Sequence, residues 1–163
     1  MPHLPQERLL GPMKDPPPEA PIVVLDTNVV LDLLLFRNPE CTALQSALGT
    51  PSIRWVATAA MRDELAHVLA RGDLDGWAPD LARIWSQWDR HCAAWPQPVS
   101  PSADPRLRCT DPDDQKFIDL ALACTARWLV SRDRAVLKLA RRLREQGIDV
   151  VTPNGWAALS PVG

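Results

Sequence analysis

The 163-residue sequence contains no tyrosine, two phenylalanines, three histidines and seven glycines. Its four cysteines, Cys41, Cys92, Cys109 and Cys124, form no Cys-x-x-Cys pair. That spacing excludes a zinc knuckle and a dense disulfide framework. Cys124, inside an apolar helical run, reads as a buried reduced thiol. Long apolar runs are missing too. The greasiest stretch, residues 29–36, is broken by Asp32 and falls short of the ~18–20 residues of a membrane span. The sequence begins with scattered leucines among prolines and charges, without a signal-peptide core, so a cytoplasmic protein with no membrane partner is expected. Neither sign of charge dominates. Lys and Arg (18) against Asp and Glu (20) give −2, which excludes a strongly basic protein and leaves room for local basic patches. Lysine is scarce, and arginine outnumbers it 15 to 3.

The remaining composition is ordinary for a globular protein, 46% apolar and 23% charged, on a chain long enough for one domain with a core. Residues 1–21 hold seven of the 17 prolines. So poor in amides and in apolar pattern, this segment is expected to be a disordered Pro-rich tail. The folded domain is expected over residues 22–160. The run Ile22-Val23-Val24-Leu25 reads as a strand buried on both faces of a parallel sheet. Further strands are expected at 53–57, 128–131 and 148–151, with a weaker one around 92–95. Between them fall helical patterns at 27–36, 39–48, 58–71, 112–126, 133–145 and 153–159, and Leu81, Ile84, Trp85 and Trp88 recur at helical spacing. The helix over 112–126 is apolar nearly all round and must be sandwiched. Strands alternating with helices predict an α/β fold: one domain with a central parallel β-sheet flanked by helices.

Four acids occupy positions where such a sheet gathers chemistry. Asp26 ends the first strand and Asp133 lies just past the strand at 128–131, so both point beyond the carboxyl ends of the strands, where parallel sheets bind ligands. Asp114 opens the buried helix on its core-facing side. Glu64 flanks the apolar stripe Met61, Leu65, Val68 and Leu69. Taken singly, each aspartate could merely cap a helix and Glu64 could be a solvated helix residue. Together they suggest more. Carboxylates gathered within a few ångströms repel unless a cation neutralises them, and hard oxygen ligands select Mg²⁺ or Mn²⁺.

Four segments, Val24-Leu25-Asp26-Thr27-Asn28-Val29, Met61-Arg62-Asp63-Glu64-Leu65, Asp111-Pro112-Asp113-Asp114-Gln115-Lys116-Phe117 and Leu129-Val130-Ser131-Arg132-Asp133, resemble in order and spacing the motifs of PIN-domain ribonucleases. The ending Ile148-Asp149-Val150-Val151-Thr152-Pro153 is similar to the last strand of that pattern. The likeness is closest to the VapC-like toxin components of bacterial type II toxin–antitoxin modules. It implies a metal-dependent endoribonuclease in which Asp26, Glu64, Asp114 and Asp133 are the catalytic, metal-binding acids. Asn28 then supports the first aspartate, and Ser131 is the hydroxyl residue before the last. Asp111 also has a supporting place, since Asp111, Asp113 and Asp114 crowd one window and compete for the third position. The implied cofactor is Mg²⁺ or Mn²⁺. The implied partners are RNA, a cognate antitoxin protein and a second copy of the chain in a homodimer. Two departures stand out: Arg132 where close relatives often have glycine, and Cys124-Thr125 in place of a small glycine-containing turn.

Residues 132–144 carry Arg132, Arg134, Lys138, Arg141, Arg142 and Arg144 against one acid, Asp133. A basic helix there would grip flanking phosphates, which makes Arg132, Arg134, Arg141 and Arg142 candidate RNA contacts; a solvated face is the plainer alternative. The seven tryptophans invite base stacking, but Trp85 and Trp88 sit at core spacing. His3, His67 and His91 have no motif context. A haloacid-dehalogenase-type phosphatase would need an acid two residues after the first aspartate, where Asn28 stands. The remaining alternative is a non-catalytic PIN-like module that binds RNA or protein. Metal-dependent RNA cleavage separates it from the enzyme.

Overall fold

Strand β1 (Ile22–Leu25) runs through the middle of the sheet, with Val23 and Val24 wholly buried, as a short β-branched run covered on both faces should be. The computed structural model describes residues 19–159; the expected tail lies outside the described residues up to residue 18. Just ahead of β1, the Pro21 carbonyl accepts a ladder hydrogen bond from the Arg54 amide at 2.9 Å. Strands β2 (Arg54–Ala57), β3 (Cys92–Ala94), β4 (Trp128–Val130) and β5 (Asp149–Val151) complete a five-stranded sheet. The order is β3-β2-β1-β4-β5 and every pairing is parallel. The α/β fold expected from the sequence is therefore present.

Helices connect the strands. Helix α1 (Thr27–Leu34) is capped by Asp26, whose side chain accepts from the Val29 amide. Helix α3 (Ala59–Ala70) is capped by Thr58, and between them lies α2 (Thr42–Leu48). Helix α4 (Leu81–His91) buries Ile84 and Trp88 and leaves Leu81 48% exposed. Helix α5 (Gln115–Ala123) packs on β1 and β4 with Ile118, Leu120 and Ala121 fully buried, which accounts for its apolar circumference. Helix α8 (Pro153–Leu159) closes the described chain. Among the described residues no helix is long and apolar enough to cross a membrane.

Three expected helices differ in detail. The segment 39–48 is a 3₁₀ turn (Pro39–Cys41) followed by α2. The helix expected over 112–126 is a 3₁₀ turn (Pro112–Asp114) followed by α5, and it stops early because Thr125 adopts φ +53°. The Ala126 amide then reaches back to the Ala121 carbonyl at 2.9 Å, a left-handed C-terminal cap with a β-branched residue where glycine is usual. The basic helix expected over 133–145 is broken into α6 (Arg134–Leu137) and α7 (Ala140–Arg144). Val136, Leu139 and Leu143 are buried in the core on both sides of the break.

Burial predicts a contrast in stability. Leu129, wholly buried in β4, should cost about 2–5 kcal/mol on replacement by alanine. Leu81→Ala should stay within about 0.5 kcal/mol of wild type. Urea unfolding of both variants checks the core assignment.

Candidate metal centre

The parallel pairing of β1 with β4 sets Leu25 opposite Val130, so the residues that follow each strand emerge side by side at the carboxyl edge. The Asp26 amide donates to the Val130 carbonyl at 3.2 Å and the Ser131 amide to the Val151 carbonyl at 2.9 Å. Asp26 is 2% exposed. Its Oδ1 accepts from the Val29 amide at 2.9 Å, and its Oδ2 accepts from the Ser131 hydroxyl. The same Ser131 Oγ accepts from the Asp133 amide at 3.0 Å, so one buried hydroxyl fixes both strand-end aspartates. Burial pushes the Asp26 carboxyl up to about 6, and the charges of Asp133 and Asp32 push the same way against the Ser131 and Val29 hydrogen bonds.

Carboxylate oxygens of Asp111, Asp114 and Asp133 lie within 4.8 Å of one another. Asp111 and Asp133 each cap a short helical turn, accepting from the Asp113 and Ala135 amides respectively. Asp114 stands at the start of α5 yet caps nothing, and its Oδ2 is buried with no hydrogen-bond partner among the described residues. Burial pushes its carboxyl up to about 7; the Asp133 carboxylate beside it and the charges of Asp111 and Asp26 add to that rise. Of the three acids competing in that window, Asp113 stays outside the cluster.

Asp114 also faces a cleft of about 380 Å³ whose walls include Asp26, Asn28, Glu64, Arg71 and Phe117. Glu64 projects from α3 on the far side. Its Oε1 accepts from the Thr27 hydroxyl at 3.0 Å and pairs with Lys116 Nζ at 3.2 Å. The sequence reading passed over Thr27 and Lys116, although both lie inside the motif segments. Asn28 lines the cleft as an exposed residue, and among the described residues Asp26 takes its side-chain support from Ser131 and Val29 rather than from Asn28.

The arginines divide. Arg132 pairs with two acids, with Nε 2.9 Å from Asp32 and Nη2 2.9 Å from Glu40, ion pairs with which a phosphate would compete. Arg134 is exposed beside Asp133. Arg141 and Arg142 are exposed on α7, and Arg142 donates to the Arg106 carbonyl at 3.1 Å. Arg144 lies 3.7 Å from Asp149 at the start of β5, so α7 leads away from the carboxyl edge.

These residues fit a hard divalent cation. The donors are all oxygens, burial and neighbouring acids raise the Asp26 and Asp114 carboxyls, and a buried Asp114 oxygen has no hydrogen-bond partner among the described residues. Capping explains Asp111 and Asp133 but cannot explain Asp114. A family model described as PIN domain matches residues 22–135, well over half of the chain. Comparison with curated proteins found no match.

Asp26 has a folded-state pKa above its unfolded value, so its contribution to stability is complete below about pH 4 and lost as pH rises through about 6. Relative to wild type, metal-free Asp26→Asn should therefore gain roughly 3 kcal/mol between pH 4 and pH 7.5. Denaturant unfolding at both pH values measures it, and a pH-independent difference would contradict it. Ser131→Ala should leave Asp26 Oδ2 without its donor, destabilise the fold by about 1–3 kcal/mol and weaken Mn²⁺ binding about 10–100-fold, both readable by calorimetry.

Proposed function

The chain belongs to the PIN-domain family, and from that premise we propose that it is a metal-dependent endoribonuclease, the toxin of a toxin–antitoxin module. The observation that carries the catalytic reading is the convergence of Asp26, Asp114 and Asp133 on one edge, with an Asp114 oxygen buried and unpartnered among the described residues. The toxin role, the cognate antitoxin, the homodimer and the cytoplasmic location rest on the motif resemblance alone.

Asp26, Asp114 and Asp133 would hold Mg²⁺ or Mn²⁺, with Asp111 beside them and Glu64 across the cleft. When bound, the ion supplies a water of lowered pKa and Lewis acidity toward the scissile phosphate. Ser131 orients Asp26 and Asp133 together. Thr27 and Lys116 both engage Glu64 through Oε1, which leaves Oε2 to accept a proton or a metal contact. Exposed Arg134 next to Asp133 is the candidate contact for a flanking phosphate; Arg141 and Arg142, on a helix that leads away from the carboxyl edge, would meet only more distant ones.

The test is cleavage of single-stranded RNA with Mn²⁺ and with EDTA. Wild type should cut internally only with metal, and Asp26→Asn should lose about a hundredfold or more in rate. Cleavage in EDTA, or full activity in the variant, would overturn the catalytic reading. Growth arrest on induction of wild type but not of Asp26→Asn tests the toxin role.

A further inference from the structure

A second opening, about 430 Å³, lies at the same edge of the sheet, past the ends of β2 and β3. Met61, Trp95, Pro98 and Val99 form apolar walls, while Lys116 and Asp119 add polar groups. Trp95 follows β3 directly, and its backbone amide donates to the Ala57 carbonyl at 2.9 Å, which fixes the indole beside the strand ends. Its Nε1 is buried with no hydrogen-bond partner among the described residues. Asp119 is 8% exposed. Its Oδ1 accepts from the Ser102 amide at 3.1 Å and from Gln115 Nε2 at 3.0 Å; Oδ2 has no hydrogen bond among the described residues. Lys116 joins this cavity to the metal cleft, because it lines the one and pairs with Glu64 of the other.

We propose that this cavity receives the base of a nucleotide adjoining the scissile phosphate and selects a base with an exocyclic amine, an assignment that rests on the ribonuclease reading. An indole framed by prolines offers a face for a base of any kind. Asp119 supplies the selectivity, since a carboxylate accepts from the cytosine N4 amine and repels the carbonyl that uracil presents at the same position. The neighbouring strands are about 5 Å apart, so a base bound past β2 and β3 belongs to a nucleotide next to the one at the metal acids. Lys116, between the two openings, meets the connecting backbone.

Binding of fluorescent cytidylate and uridylate hexamers to the full chain, with Ca²⁺ replacing Mn²⁺, tests this directly. Wild type should bind the cytidylate hexamer about tenfold more tightly. Asp119→Asn, which offers an amide donor, should abolish or reverse that preference. Ala60→Trp, at an exposed position on the cavity wall, should lower cytidylate affinity to the uridylate level. Both variants should bind Mn²⁺ as wild type does in calorimetry, and if Asp119→Asn does not fold, Ala60→Trp decides. Equal affinities in wild type, or a preference that survives the substitutions, would overturn the base site. Selective binding without Mn²⁺-dependent cleavage would instead overturn the ribonuclease reading and leave the base site standing.

Discussion

Everything at the carboxyl edge depends on the parallel pairing of β1 with β4. That ladder brings Asp26 and Ser131, 105 residues apart in sequence, into contact through a buried hydroxyl-to-carboxylate hydrogen bond. Ser131 is fully buried, and it also anchors the Asp133 backbone. A charged group as deeply buried as Asp26 is unfavourable on its own. Two protein hydrogen bonds offset part of the cost, and the raised pKa records the rest. The surrounding hydrophobic core holds this arrangement in place: Val23, Val24, Leu129 and Val130 are all buried in the strands that present it.

Helix capping and the proposed cation binding are compatible here. Asp26, Asp111 and Asp133 each use Oδ1 on a backbone amide, and a carboxylate so used still has lone pairs to offer. Asp114 separates the two explanations because it performs no capping and hides an oxygen from both protein and solvent. A fold with no use for a cation would gain by an apolar or amide residue at that position. Glu64, held at a distance by Thr27 and Lys116, completes a cleft with acids on both walls.

Much of the fold was legible because strands buried on both faces leave unbroken apolar runs, and because Asp26, Thr58 and Asp133 are good caps. The four acids were legible as a set only through the motif resemblance, since each alone reads as a cap or a surface residue. Local pattern could not show the break between α6 and α7, because Val136, Leu139 and Leu143 recur at the spacing of one continuous helix. Nor could it show that Arg132 is spent on Asp32 and Glu40. Those ion pairs join three segments, and only the fold brings them together. The pairing of Asp26 with Ser131 was beyond local pattern for the same reason, since only the β1–β4 ladder brings the two together.

Under the proposed function, specific placement rather than acidity in general creates the cation site. Calorimetric titration of Mn²⁺ into wild type, Asp114→Asn and Asp113→Asn tests it most directly. Asp113 neighbours Asp114 in sequence but lies outside the cluster, so its loss should leave Mn²⁺ affinity within about twofold, whereas Asp114→Asn should weaken it at least about tenfold. Equal affinities in all three proteins, or no Mn²⁺ binding to wild type, would contradict the account.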